Sequence, residues 1–170
     1  MIENNIISDH FTVEELKKIK ITPPDEKMYK KIRSNWDSVA KPLDGMGDFE
    51  LLTAKIGAVL GDENIDISKK AVIMMCADNG VVAEGISQSG QEVTLAVAKS
   101  MARKDSSVGR MAMTAGADTI PVDIGINSDE SVKGLIQRKV RMGTRNFANE
   151  PAMTEEETLE AIAAGIDIVR

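Results

Sequence analysis

One short segment constrains the fold of this chain more than any other. Residues 71–77, AVIMMCA, are an unbroken apolar run that follows two lysines and precedes Asp78, Asn79 and Gly80. An apolar run of this length with polar and turn-forming neighbours is typical of a strand buried on both faces of a parallel sheet. It is also the longest apolar stretch in the sequence, and it is far shorter than the roughly 20 residues of a membrane-spanning helix.

The residues that follow this strand alternate between helix and strand patterns. The patterns predict helices over residues 91–101 and 106–115, and strands over residues 119–124 and 137–142. Ser106 and Gly116 are the expected caps of the second of these helices. Pro121 favours an edge or bulge position for its strand. Thr154 and Glu157 have the spacing of a capping box and predict a final helix. This order predicts an α/β fold, a partial Rossmann-like open sheet that is mainly parallel and has flanking helices.

The first sixty residues predict helices only. The expected helices cover residues 13–20, where Thr12 and Glu15 form a capping box, a segment that begins near Asp25, and a segment between Asp48 and Gly61. The last of these places four apolar residues on one face: Phe49, Leu52, Ile56 and Val59. We therefore expect two domains, an N-terminal helical segment over residues 1–62 and a truncated Rossmann-like α/β domain over residues 63–170.

Composition excludes several functions. The net charge of −6 disfavours a surface that neutralises nucleic-acid phosphates or anionic lipids. The lone cysteine, Cys76, has no partner for an internal disulfide, and Cys76 with His10 alone is too small a set for a zinc site. The N-terminus lacks the basic start and apolar run of a signal peptide. We expect a cytoplasmic protein without nucleic-acid or membrane partners, and neither a metal nor a cofactor.

Three loops are candidates for a binding site. Open α/β sheets bind ligands beyond the carboxyl ends of their strands, which here points to residues 78–90, residues 125–129 and the segment after Met142. The first loop is rich in glycine and leads into a helix, so its backbone can approach a ligand closely. Such loops are also commonly simple turns, in which an aspartate such as Asp78 only caps local amides. Spacing alone leaves both interpretations open.

Four separate segments of the sequence carry motifs that resemble those of one enzyme family. Residues 76–94, CADNGVVAEGISQSGQEVT, are similar to the family's Cys-Ala-Asp-His-Gly-Val motif with its following Glu-Gly, serine and Val-Thr pair. Residues 41–50 resemble a degraded form of its Lys-Pro-Pro-Gly-Ser-Leu-Gly segment. Residues 122–126 resemble its Val-Asp-Val-Gly strand, and residues 143–154 its Gly-Thr-x-Asn and Pro-Ala-Met-Thr run. These motifs, in this order, resemble those of the nicotinate-nucleotide–dimethylbenzimidazole phosphoribosyltransferases of cobalamin biosynthesis. Chance is a poor explanation for four motifs in the right order.

The resemblance implies an enzyme that transfers ribose 5-phosphate from nicotinate mononucleotide to 5,6-dimethylbenzimidazole. The pyridinium leaving group departs neutral and needs no acid, whereas the incoming azole must lose a proton, for which a carboxylate is a natural base. In the family this base is a glutamate near the end of a much longer chain, beyond the equivalent of Arg170. The resemblance therefore implies an N-terminal portion of a glycosyltransferase, without a catalytic residue of its own and inactive alone.

The resemblance also implies substrate-binding residues. Ser89 matches the family serine of the benzimidazole pocket, where a hydroxyl can hydrogen-bond the azole. Four other residues match the motifs and are expected to line or support the site: Asp78, Glu84, Thr144 and Asn146. A purely structural role in holding the loops stays open for these four. Asn79 replaces the family's histidine, and Val97 stands where some members have a glutamine.

Other functions and an assembly state also follow as hypotheses. The chain could be a non-catalytic azole- or nucleotide-binding module, or it could have a structural role in an assembly. Half a sheet leaves an unpaired strand edge and an uncovered apolar helix face, which another chain commonly covers. We expect a homodimer whose other partners are small molecules, nicotinate mononucleotide and a benzimidazole base.

Overall fold

The computed structural model of the protein describes residues 11–170, so His10 lies outside the described residues. The chain divides into two compact units. One comprises Ile19–Lys69 and the other comprises Lys70–Arg170 with the described residues 11–18. The expected domain boundary between residues 62 and 63 stays a prediction. Among residues 11–170, no helix is both long enough and apolar enough to cross a membrane.

The elements follow one another as the sequence patterns predict, with shorter bounds at some ends. In chain order they are α1 (Val13–Lys18), α2 (Glu26–Ser38), α3 (Asp48–Leu60), β1 (Ala71–Ala77), a short 3-10 helix (Gly80–Glu84), α4 (Glu92–Ala102), α5 (Ser107–Ala115), β2 (Asp118–Gly125), β3 (Ile136–Gln137) and α6 (Glu155–Val169). The expected caps are confirmed. Ser106 accepts a hydrogen bond from the Gly109 amide at 3.2 Å, and Thr154 with Glu157 forms a complete capping box.

The sheet is open and parallel, which confirms the predicted fold class. Its strand order is β1-β2-β3, and β1 pairs with β2 from Ala71 opposite Asp118 to Ala77 opposite Gly125. A buried cluster consists of Cys76, Ala98, Ile126 and Leu135, with Leu95, Met101 and Val132 packed against it. This cluster fixes α4 and the loop after β2 to the carboxyl end of β1.

The third strand is much shorter than expected. The sequence predicts a strand over residues 137–142, but β3 ends at Gln137. From Arg138 to Gly143 the chain advances five residues, while the carbonyls that accept its amides advance only from Asp123 to Gly125. An extended strand cannot do this, because parallel strands advance together. The segment instead follows an irregular path beside the end of β2, where the ammonium of Lys139 lies 3.0 Å from the buried Asp123 carboxylate.

β2 is the central strand of the described sheet, so the expected edge or bulge position is wrong for the strand as a whole and holds only locally at Pro121. Pro121 is paired with Met74 of β1, whereas β3 pairs only with Val122 and Asp123. The β3 side of the strand is therefore open at Pro121 among the described pairs. A missing amide donor is tolerated at such a place.

The smaller unit is a pair of helices. The α2 residue Ile32 packs against Gly57 of α3, where an added Cβ would lie 2.0 Å from the Ile32 Cδ1. The Trp36 ring meets Phe49 edge-on, with centroids 5.9 Å apart. Glu50 is fully buried and contacts Lys41 at 2.8 Å and Arg33 at 3.2 Å. These cations hold its pKa below the usual range, with Lys41 as the main cause.

Apart from Phe49, whose ring meets Trp36, the expected apolar face of α3 is not the one that packs on α2. The buried residues of the helix are Glu50, Ala54, Gly57 and Ala58. Small side chains allow the two helix backbones to approach closely, and they take the place of the larger apolar residues at this contact. The larger residues remain exposed within the described chain: Phe49, Leu52, Ile56 and Val59.

Candidate functional site

The three loops singled out in the sequence meet at the carboxyl end of the sheet, and Asp78 joins them. Its amide donates to the Gly125 carbonyl at 3.0 Å, its carboxylate accepts from the Asn127 amide at 2.7 Å, and its carbonyl accepts from the Thr144 amide at 3.0 Å. Asp78 is only 3% exposed. The carboxylate therefore holds the loop after β2 in place, and its hydrogen bond compensates for its burial.

A cavity of about 340 Å³ opens between the end of β1 and one face of α4, from Val93 to Met101. One part of its wall is apolar and includes Met75, Val82, Val93, Val97 and Met101. The other part is polar and includes Asn79, Ser87, Ser89, Gln91 and Thr94. A mostly apolar cleft with a few grouped polar side chains is the usual form of a small-molecule site.

Ser89 lies in the polar part of the wall. The segment from Gly85 to Gly90 that carries it is exposed along its length. Its amide donates to the Ser87 hydroxyl oxygen at 3.4 Å, and no hydrogen bond of the Ser89 hydroxyl occurs within the described chain. The hydroxyl can therefore donate to or accept from a ligand in the cavity.

The other predicted site residues lie on loops that support this cavity. Asp78 lines it, but Glu84, Thr144 and Asn146 are absent from its wall among the described residues. Thr144 accepts a hydrogen bond from the Gly80 amide at 3.1 Å, and Asn146 donates to the Glu84 carboxylate. These contacts clamp the 3-10 helix after β1 to the segment after Gly143.

This clamp depends on the missing side chain of Gly80. A Cβ at that position would lie 2.5 Å from the Thr144 carbonyl oxygen and 2.6 Å from backbone atoms of both Arg145 and Asn146. These are backbone atoms, so they cannot rotate away. Only glycine permits the two segments to lie this close.

Sequence reasoning missed two residues of the site. The Gln91 amide group donates to the Asn79 carbonyl oxygen at 3.2 Å and accepts from the Asn127 side chain at 2.7 Å. Gln91 therefore connects the start of α4 with the loops after β1 and β2. Position was the one signal in the sequence that could have identified them, because Gln91 and Asn127 both lie next to loops at the carboxyl ends of strands. No motif specifies a pairing between the two residues.

Charged pairs fix the segments that surround the cavity. Arg145 binds the Glu157 carboxylate at 2.8 Å and 3.2 Å, and this contact lowers the pKa of Glu157 to about 2. The pair attaches the segment after Gly143 to the first turn of α6. Lys139 bridges the Asp123 carboxylate and the carbonyl of Ile126, which fixes the loop that carries Asn127.

The arrangement favours binding over nucleophilic chemistry. Cys76 of β1 lines the cavity, but it is a buried free thiol. Burial raises its pKa, so it is a poor source of thiolate. Asp78 is the one carboxylate in the wall among the described residues, and it already accepts the Asn127 amide. Ser89 and its polar neighbours can hydrogen-bond the edge of a flat ring, while the methionines and valines contact its faces.

An open parallel sheet with a cleft of this kind at its carboxyl ends defines the Rossmann-like α/β class. Residues 21–170 match the family described as Phosphoribosyltransferase. The chain belongs to this phosphoribosyltransferase family, which confirms the resemblance found in the sequence motifs.

Individual relatives agree with the family match. The chain is 39% identical over 150 residues to the nicotinate-nucleotide–dimethylbenzimidazole phosphoribosyltransferase of Clostridium tetani, with 88% of this chain and 41% of the relative covered. It is 42% identical over 138 residues to the enzyme of the same name from Acetivibrio thermocellus, with 81% and 39% covered. The chain thus spans about two fifths of the length of these relatives.

A solved structure shows the same fold. The nicotinate-nucleotide–dimethylbenzimidazole phosphoribosyltransferase of Thermus thermophilus superposes with a TM-score of 0.76 at 32% identity, covering 85% of this chain and 46% of that one. The agreement covers most of this chain and less than half of the Thermus protein.

Proposed function

We propose that this chain is the N-terminal portion of an enzyme that transfers ribose 5-phosphate from nicotinate mononucleotide to 5,6-dimethylbenzimidazole. The observation that carries the proposal is the cavity beside Ser89 at the carboxyl end of β1. Its volume of about 340 Å³ lies within the range of about 300–1,000 Å³ that is usual for small-molecule sites. Its apolar and polar parts suit the two methyl groups and the two nitrogens of the base.

In this proposal Ser89 hydrogen-bonds an azole nitrogen, and the apolar wall contacts the ring. Val97 is 41% exposed and lines this wall. An aliphatic side chain there favours contact with a methylated ring edge over a hydrogen bond. The remaining predicted site residues, Asp78, Glu84 and Thr144, act by holding the loops, as does Asn146 through its bond to Glu84.

The proton of the azole must be accepted by a group outside these residues. Asp78 is buried and its carboxylate already accepts the Asn127 amide, so its role in this proposal is to place the loop after β2. Glu84 is paired with Asn146 and lies outside the cavity wall. We therefore propose that the base is the glutamate that the family resemblance places beyond Arg170, and that the 170-residue chain alone binds the azole without turning over.

Calorimetric titration of the chain with 5,6-dimethylbenzimidazole tests this function. Ser89→Ala should weaken binding by roughly two- to tenfold, as expected for one lost neutral hydrogen bond. Ser131→Ala is the matched control, because Ser131 is exposed and lies outside the cavity wall. Absence of heat with the unmodified chain would contradict the proposal. Release of nicotinate from nicotinate mononucleotide by this chain alone would contradict the proposed inactivity.

We also propose that the protein is a homodimer of the cytoplasm. β1 pairs only with β2 among the described strands, and Leu52, Ile56 and Val59 on α3 are exposed. Such an edge and such apolar residues are commonly covered by another chain. The lone free cysteine suits a reducing compartment. Sedimentation velocity should show a dimer, and a compact monomer at high concentration would contradict it.

A further inference from the structure

The geometry points to Gln91 as a positioning residue for the azole site, acting through a hydrogen-bonded bridge that the family motifs do not describe. The bridge consists of the Asn127 side chain, the Gln91 side chain and the Asn79 carbonyl, and we call it the amide bridge. The inference rests on the proposed function, because it concerns how the wall that carries Ser89 is held over the cavity.

The amide bridge links three different parts of the chain. The Gln91 Nε2 donates to the Asn79 carbonyl oxygen at 3.2 Å, at the end of β1. The Asn127 Nδ2 donates to the Gln91 Oε1 at 2.7 Å, from the loop after β2. The backbone of Asn127 is in turn fixed by the buried Asp78 carboxylate at 2.7 Å. Both ends of the bridge are therefore fixed to residues that directly follow β1.

The segment that needs this anchor is the wall between Gly85 and Gln91. All of its residues from Ile86 to Gly90 are exposed, and the one side-chain bond within it joins Ser87 and Ser89 locally. The α4 helix begins there without a side-chain cap. In the described part of the chain, the Gln91 side chain makes the hydrogen bonds that tie this wall to another loop.

The glutamine side chain satisfies both ends of the bridge, because it carries a donor and an acceptor. The end that faces Asn79 meets a carbonyl oxygen and must donate, whereas the end that faces Asn127 meets an amide nitrogen and must accept. A glutamate would retain the second contact and would place an anion against the Asn79 carbonyl. An alanine would lose both contacts. Comparison of the two substitutions therefore separates the effect of the lost donor from the effect of losing the whole side chain.

The consequence for binding is preorganisation. With the bridge intact, the Ser87 and Ser89 hydroxyls already lie at the cavity when the base arrives. Without it, the exposed wall must be ordered at the moment of binding, and that ordering weakens the affinity. Because the bridging side chains are exposed or half-buried, their loss should change the stability of the fold little.

The test is calorimetric titration with 5,6-dimethylbenzimidazole of Gln91→Ala, Gln91→Glu, Asn127→Ala and the double variant Gln91→Ala with Asn127→Ala. Each single variant should weaken binding roughly tenfold, as expected for one or two lost hydrogen bonds. The double variant should be no weaker than Gln91→Ala, since both side chains belong to one bridge. Urea unfolding should be unchanged, which separates positioning from a loss of folding.

NMR relaxation of the ligand-free chain provides a readout that does not depend on binding. Asn127→Ala should lower the backbone order parameters of residues 86–91, although the substitution lies far away in sequence. Unchanged order parameters there overturn the amide bridge whatever the base does. Normal affinity of Gln91→Ala and Asn127→Ala beside a weakened Ser89→Ala overturns it as well and leaves the proposed function standing. Failure of the unmodified chain to bind, with lower order parameters in Asn127→Ala, contradicts the azole function alone.

Discussion

Gly80→Ala is the substitution that most directly challenges the way the site is assembled. A Cβ at position 80 would lie 2.5–2.6 Å from the backbone of Thr144, Arg145 and Asn146. Favourable contacts of carbon atoms require about 3.5–4.0 Å. The clamp between the 3-10 helix and the segment after Gly143 must therefore open by roughly 1 Å, because backbone atoms cannot rotate out of the way.

The magnitude follows from two contributions. Overpacking of this kind destabilises by about 1–3 kcal/mol. Opening by roughly 1 Å also removes the hydrogen bond from the Gly80 amide to the Thr144 hydroxyl, which contributes about 1 kcal/mol. We expect a loss of about 2–4 kcal/mol in the free energy of unfolding. The affinity for 5,6-dimethylbenzimidazole should fall as well, because the Asp78 and Asn79 backbone continues directly into the displaced turn.

Urea unfolding and calorimetric titration measure the two effects. Gly85→Ala is the matched control in the same turn. Its φ of 72° strains an alanine, but a Cβ there meets nothing within 4 Å, so we expect a loss of about 1–2 kcal/mol with little change in affinity. Gly165→Ala, a helical position in α6 whose Cβ also meets nothing, should gain roughly 0.5–1 kcal/mol. An unfolding free energy of Gly80→Ala equal to that of the unmodified chain would refute the reasoning.

Three further substitutions test the supports of the site. Arg145→Met should make the protein less stable at neutral pH. The pKa of Glu157 is about 2 in the folded protein against 4.5 ordinarily, so the stabilisation by its ion pair is present above about pH 4.5 and is lost toward pH 2. In a pH series of unfolding curves, the difference in stability between the variant and the unmodified protein should therefore disappear over that window. Lys139→Met leaves the 1% exposed Asp123 carboxylate with only its two amide donors and should destabilise by about 3 kcal/mol in urea unfolding. Ile126→Ala opens a cavity in the cluster below the site and should destabilise by about 2–5 kcal/mol by the same measurement. An unchanged midpoint in any of the three contradicts the contact concerned.

The sequence predicted correctly those elements that depend on neighbouring residues or on a uniformly apolar segment. β1 has the predicted bounds because AVIMMCA is apolar throughout and polar residues follow it directly. The predicted burial on both faces is wrong for the described chain, because Ala71, Ile73 and Met75 on one face of the strand are exposed and Cys76 is its one buried residue. The Thr154–Glu157 capping box formed as predicted, since both partners lie within one helical turn. The family motifs placed Ser89 at the cavity, although the roles of the predicted site residues stay proposals.

Contacts between distant segments could not be predicted in the same way. The residues after Gln137 have a strand-like pattern, but they do not form an extended strand. Lys139 binds the buried Asp123 carboxylate, and five residues of this segment pass along only two residues of β2. The pairing of Gln91 with Asn127 spans 36 positions and depends on the Asp78 carboxylate. No periodicity in the sequence encodes such a contact, because it arises only when the two loops meet at one end of the sheet.

The most direct test of the account is to map the base on the protein by NMR. Titration of the isotope-labelled chain with 5,6-dimethylbenzimidazole should shift the amides of residues 76–79 and 87–98, which wall the cavity, and Ser89→Ala should reduce those shifts at equal ligand concentration. Shifts confined to other residues, or the absence of any shift at saturating concentrations of the base, would contradict the claim that this wall receives the azole.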